Sequence, residues 1–153
     1  MHVPLSFAKL LAIAAAAVIV VPASAQRPAG GDARQLVALP EPMRTHTIAN
    51  MRDHLLALQE IDEALAKGDF VAASRIAEER IGMSSLKSHG AAHIASFLPP
   101  PMQEIGTRMH RAASLFAVEA QTASVANDLR PALLAKSAVI RECVACHAAY
   151  RYH

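Results

Sequence analysis

Cys143 and Cys146 are the only cysteines of the chain, and they stand three residues apart with His147 directly behind them. This is the C-x-x-C-H spacing that attaches a c-type haem. One helical turn separates the two thiols, so each can add to a vinyl group on the same porphyrin edge, while His147 turns its imidazole towards the iron. Other chemistry needs other company. A thioredoxin-like dithiol calls for a βαβ context, and no strand alternation surrounds Cys143. A zinc site needs about four N or S ligands, which histidines would have to supply in the absence of a second Cys pair. A disulfide across a three-residue step is strained and closes almost no loop.

The elements that must position this motif are helical. Of the 153 residues 53% are hydrophobic but only 4% aromatic, with no Trp, so alanine and leucine supply the core. That composition suits closely packed helices better than a β-sandwich. The net charge of +2 is spread along the chain, and without a basic arm or stripe no nucleic-acid partner is expected.

Residues 1–25 read as an export signal. Lys9 precedes the apolar run Leu10 to Val21, and Ala23-Ser24-Ala25 closes it as a cleavage site before Gln26. The run is too short to span a bilayer, so no membrane association is expected after cleavage, and the expected location is periplasmic. An exported thiol pair must be oxidised or chemically occupied, and thioether bonds would occupy it.

Residues 26–41 read as a flexible leader and 42–153 as one helical domain. Met43, Ile48, Met51, Leu55, Leu58, Ile61 and Leu65 form an amphipathic stripe from Met43 to Lys67, stopped by Gly68. Asp69 caps a second helix through about Ile81, ended by Gly82. Ser84 or Ser85 opens a further helical piece to about Phe97, and Pro99-Pro100-Pro101 breaks it. The next helix runs from Met102 to about Ala126, with Met102, Ile105, Met109, Leu115 and Phe116 inward, and the last from Leu129 to Tyr150 through Leu133, Leu134, Val139 and Ile140. Four main helices on short turns predict an all-α, antiparallel up-down-up-down bundle with haem near the C-terminal end of the last helix.

In such a bundle a ligand on the first helix must come from its N-terminal half, which holds Met43, His46, Met51 and His54. Met51 lies in the apolar stripe, two turns inside the fraying end, and is the preferred second axial ligand. An open sixth position, or Met43 or His46 in its place, is the alternative. His89 and His93 stand four apart without an evident third ligand and read as solvated or core-edge side chains, as do His110 and Arg111 on a helix surface. No nucleophile, base and oxyanion set exists, so the chain is not expected to be an enzyme.

The C-x-x-C-H segment with Tyr150 and Arg151 behind it, and Met51 some sixteen residues before Ala66-Lys67-Gly68, resemble the cytochrome c prime and cytochrome c556 class. The resemblance covers most of the chain after the signal at the level of helix pattern. It implies one covalent haem c, Arg151 beside the proximal histidine, and transient docking to redox partner proteins. Members with Met at that place are low-spin electron carriers; those with an apolar residue there are five-coordinate and bind nitric oxide or carbon monoxide. Homodimers through the first helix are frequent among members, and the apolar content here is compatible with one. Pro99 to Pro101 and the stretch from Met83 to Phe97 depart from the usual pattern. A third functional reading, copper or zinc handling by Cys143, Cys146 and histidines, is separated from both by haem staining of a denaturing gel.

Overall fold

The computed structural model describes residues 31–152; the expected signal segment, its cleavage site, the first residues of the leader and His153 lie outside the described residues. The fold is all-α, with five α-helices: α1 Glu41–Ala66, α2 Phe70–Arg80, α3 Ala91–Ile94, α4 Pro100–Ala126 and α5 Arg130–Ala149. Two-residue strands, β1 Gln35–Leu36 and β2 Tyr150–Arg151, pair in parallel.

The helix ends follow local chemistry. Gly68 takes φ of +73°, where only glycine sits without strain, and the chain reverses there as Asp69 N donates to Ala64 O at 2.8 Å. Asp69 then caps α2 by accepting from Ala72 N at 2.9 Å. Asp69→Ala should therefore destabilise the fold by about 1 kcal/mol in urea denaturation, with the m-value unchanged. Pro100 and Pro101 occupy the first turn of α4, where their missing N–H groups cost nothing.

The expected helix from Ser84 or Ser85 to Phe97 does not form as one piece. A 3-10 turn at Met83–Leu86, the short α3, and another 3-10 turn at Ala95–Phe97 replace it. The reason is Gly90, whose φ of +66° interrupts any continuous helix. This irregular connection is nevertheless tied down, because Gln103 Nε2 donates to Ala95 O and Leu98 O, both at 2.9 Å, and Met83 N donates to Ser114 Oγ at 2.9 Å.

Each long helix packs on the next in chain order, α1 on α2, α2 on α4 and α4 on α5. Small side chains form the seams: Ala57 and Ala64 on α1, Ala73 and Ala77 on α2, Ala113, Ala117 and Ala120 on α4, Ala132 and Ala135 on α5, with Phe116 and Ile61 as the bulk between them. Alanine faces let the axes approach closely, and this overturns part of the expected inward set. Leu115, Leu133, Leu134 and Ile140 point outward, while Met102, Met109, Phe116 and Val139 are buried as expected. α1 and α5 are linked by Lys136 to Asp62 on the side of the α1 C-terminus, but they do not share an extensive seam. Their other ends stand apart.

Part of the leader packs beside the end of α5. Val37 is buried and its N–H donates to Arg151 O at 2.9 Å, so residues 35–37 lie against the chain beyond α5.

Candidate functional site

The gap between those separated ends is a cavity of about 550 Å³. It falls in the size range of cofactor pockets, which are mostly apolar with a few placed polar groups. α1 contributes Met51, His54 and Leu58, the irregular connection His89 and Leu98, α4 Met102, Gly106, Met109 and His110, and α5 Cys143, Cys146 and His147.

Cys143, Cys146 and His147 of the C-x-x-C-H motif and Met51 of the α1 stripe thus line one space. Both cysteines are half-buried and unbridged. Burial raises both thiol pKa values, so each stays protonated at neutral pH. Glu142, also in the lining, is neutralised by Arg108 across α4 and α5, with Arg108 Nε donating to its carboxylate at 3.0 Å.

Arg151 pairs with the leader. It is not among the cavity-lining residues; its Nε is 3.6 Å from Asp32 Oδ2, and the cavity wall beyond α5 is made by Tyr152 instead. Asp32 is held at about 2 by hydrogen bonds from Arg34 and by the charges of Arg34 and Arg151. Arg34 also donates to His147 O at 3.2 Å, so the cation next to the motif's backbone comes from the leader.

The largest departure is histidine. His54 is only 5% exposed, deeper than Met51, and neither of its ring nitrogens has a hydrogen-bond partner. Its ring centre lies 4.7 Å from that of His89 and 6.2 Å from that of His110, which is buried rather than on the helix surface; His89 and His110 are 5.5 Å apart. Burial, then the neighbouring imidazoles, push His54 down to about 4, and burial likewise lowers His89 and His110. The signal was in the sequence: Thr47, His54 and Ile61 repeat at seven-residue steps and are all buried, so His54 belongs to the inward face of α1. Tyr152, half-buried in the cavity wall and pushed up to about 12 by burial, gave no periodic signal, because it follows the end of α5.

The residues present fit a flat apolar macrocycle held by two thiols. The lining includes Leu, Met, Ala and Ile side chains beside four histidines, and Gly106 stands within α4 at a point where an added Cβ would meet nothing within 4 Å. A mid-helix glycine costs about 1 kcal/mol relative to alanine; here it keeps the wall open. His54, buried with both ring nitrogens unpartnered, supplies a polar group that a ligand could satisfy. Comparison with protein-family models, with curated proteins and with solved structures finds no match for this chain.

Proposed function

We propose that the protein is an exported c-type cytochrome that carries single electrons, with haem c bound through Cys143, Cys146 and His147 and with Met51 as second axial ligand. The observation that carries this reading is the shared cavity: a C-x-x-C-H motif on α5 and a methionine on α1 line the same apolar space. A bundle whose first and last helices are held apart at one end is the architecture the reading requires.

Bound haem would supply a one-electron ferric and ferrous couple. The chain supplies everything else. Each Cys S–H would add across one vinyl double bond, the sulfur to one carbon and the proton to the other, so attachment consumes no redox equivalent. The protonated state favoured by burial holds the proton that this addition transfers. His147 would offer a ring nitrogen, while its carbonyl stays anchored by Arg34. Met51 would offer an uncharged thioether, whose burial costs little desolvation and which favours the ferrous state. Leu58, Leu98, Met102 and Met109 exclude water from the same space, and Arg108 balances Glu142 at its edge.

No helix of the described residues is long and apolar enough to cross a membrane, in keeping with a carrier that meets its redox partners by transient docking. The test is Met51→Ala. The wild-type ferrous protein should show a low-spin spectrum and resist carbon monoxide, and the variant should become high-spin and bind it. A wild-type ferrous protein that already binds carbon monoxide would replace this reading with that of a five-coordinate gas-binding protein.

A further inference from the structure

We propose that His54, His89 and His110 form a second metal site, for a borderline divalent transition-metal ion of the zinc class, in the wall of the cavity. This site does not depend on the haem reading.

The three side chains come from three elements, α1, the irregular connection and α4. Three imidazoles on one tetrahedral ion, at metal–nitrogen distances of about 2.0–2.1 Å, place their ring centres roughly 5 Å apart. The observed separations are 4.7, 5.5 and 6.2 Å.

A hydrogen bond fixes which nitrogen of His110 is free. His110 Nδ1 lies 2.5 Å from Ile81 O, and a carbonyl only accepts, so Nδ1 carries the proton and Nε2 keeps its lone pair. His89 Nδ1 lies 3.2 Å from Ser85 Oγ, whose own proton is given to Gly82 O at 2.7 Å. Ser85 Oγ is thereby free to accept from His89 Nδ1–H, and the same ring also bonds the Arg80 backbone. This is the outer-shell pattern that orients metal-binding histidines. His54 completes the set as a buried ring with both nitrogens unpartnered, a costly state that coordination would remove.

Charge is compatible with a cation. Burial keeps all three rings neutral at pH 7, hence able to bind metal. Arg80, whose charge acts on His54, is held by Asp53 and Glu60, and that triad carries a net charge of −1. There is also a way in. A surface pocket of about 260 Å³ is lined by His46, His89 and His93, the first and last of them exposed, so His89 stands on both the pocket and the cavity.

As they stand, no three His, Cys, Asp or Glu side chains among the described residues are placed to hold a metal ion. The rings are tilted by 40° to 85° to one another, so taking up an ion requires side-chain reorientation, foremost of His54, whose ring has no hydrogen bond to break.

The experiment uses the purified protein with its haem content determined beforehand, stripped with a chelator and titrated with Zn²⁺ by calorimetry and equilibrium dialysis. Wild type should bind one Zn²⁺ per chain. His54→Ala and His54→Gln should each weaken binding by about 100-fold or more, and Ser85→Ala by about 10-fold through the lost outer-shell contact. His46→Ala with His93→Ala should leave affinity unchanged and slow uptake only. Circular dichroism confirms that each variant is folded, and His54→Gln preserves polarity should His54→Ala not fold. Binding no tighter in wild type than in His54→Gln overturns the proposal. Loss of affinity in the His46 and His93 double variant also overturns it, by moving the site to the surface pocket. A change of the ferrous spectrum in His54→Gln, with no Zn²⁺ bound by wild type, overturns it by making His54 a haem ligand.

Discussion

Replacing Cys143 and Cys146 together with serine should yield a chain that carries no covalent haem and has lost most of its cooperative unfolding transition. The first part follows from the chemistry of the proposed attachment, since a hydroxyl does not form the thioether that would hold the porphyrin edge. The second follows from the packing. α1 and α5 lack an extensive shared seam, and the space between them, about 550 Å³, is lined by Leu, Met and Ala side chains that a filled cavity would cover. A ligand bound only to the folded state adds its binding free energy to stability, and a covalent one cannot dissociate. Haem staining after denaturing electrophoresis and thermal unfolding read the two effects separately. Covalent haem retained by the double variant would defeat the assignment. So would an unchanged melting temperature, because the cofactor would then lie outside the core.

The second large effect is acid destabilisation governed by His54. Its folded pKa of about 4 lies below its ordinary 6.5, because burial and the adjacent His89 and His110 outweigh the attraction of Asp53, with Arg80 adding to the opposition. Between these two values the unfolded chain binds the proton and the folded one does not, so stability falls as pH is lowered from about 6.5 towards 4 and is level above that window. At 1.36 kcal/mol per pH unit the loss reaches at most about 3 kcal/mol from this group alone, and the lowered His89 and His110 act in the same direction. In chelator-treated protein, His54→Leu should flatten this slope, and removal of two unpartnered nitrogens should raise stability at pH 7. Urea unfolding at pH 7 and pH 5 gives the comparison; equal slopes for the two proteins would exclude His54 as the controlling group.

Much of the fold was legible because helix ends are written in local chemistry. Asp69, Gly68 and the triple proline each act within one turn, and the observed ends of α1, α2, α4 and α5 lie within about two residues of the expected ones. The inward faces were less legible. Hydropathy ranks leucine above alanine, yet Leu133 and Leu134 face outward while Ala132 and Ala135 are buried, since close approach of two helices rewards the smaller side chain. Histidine misleads in the same way, being polar by type and buried by position at His54. Cys143, Cys146, His147 and Met51 all line the cavity. What no periodicity could give was Arg34 and Tyr152, because both act from short non-helical stretches at opposite ends of the described chain.

Those two ends meet at β1 and β2. Helix ends normally fray, since the last carbonyls have no partner within the helix. Here the carbonyl of His147 receives Arg34 from 113 residues away, and Gln35 and Leu36 run beside Tyr150 and Arg151. The last turn of α5 therefore cannot loosen by itself. Its opening requires residues 34–37 to peel off in the same event, which makes the two termini of the domain one cooperative unit of local unfolding. Their amides should exchange with solvent at a common rate, and the histidine that faces the cavity is steadied by a segment laid down at the opposite end of synthesis.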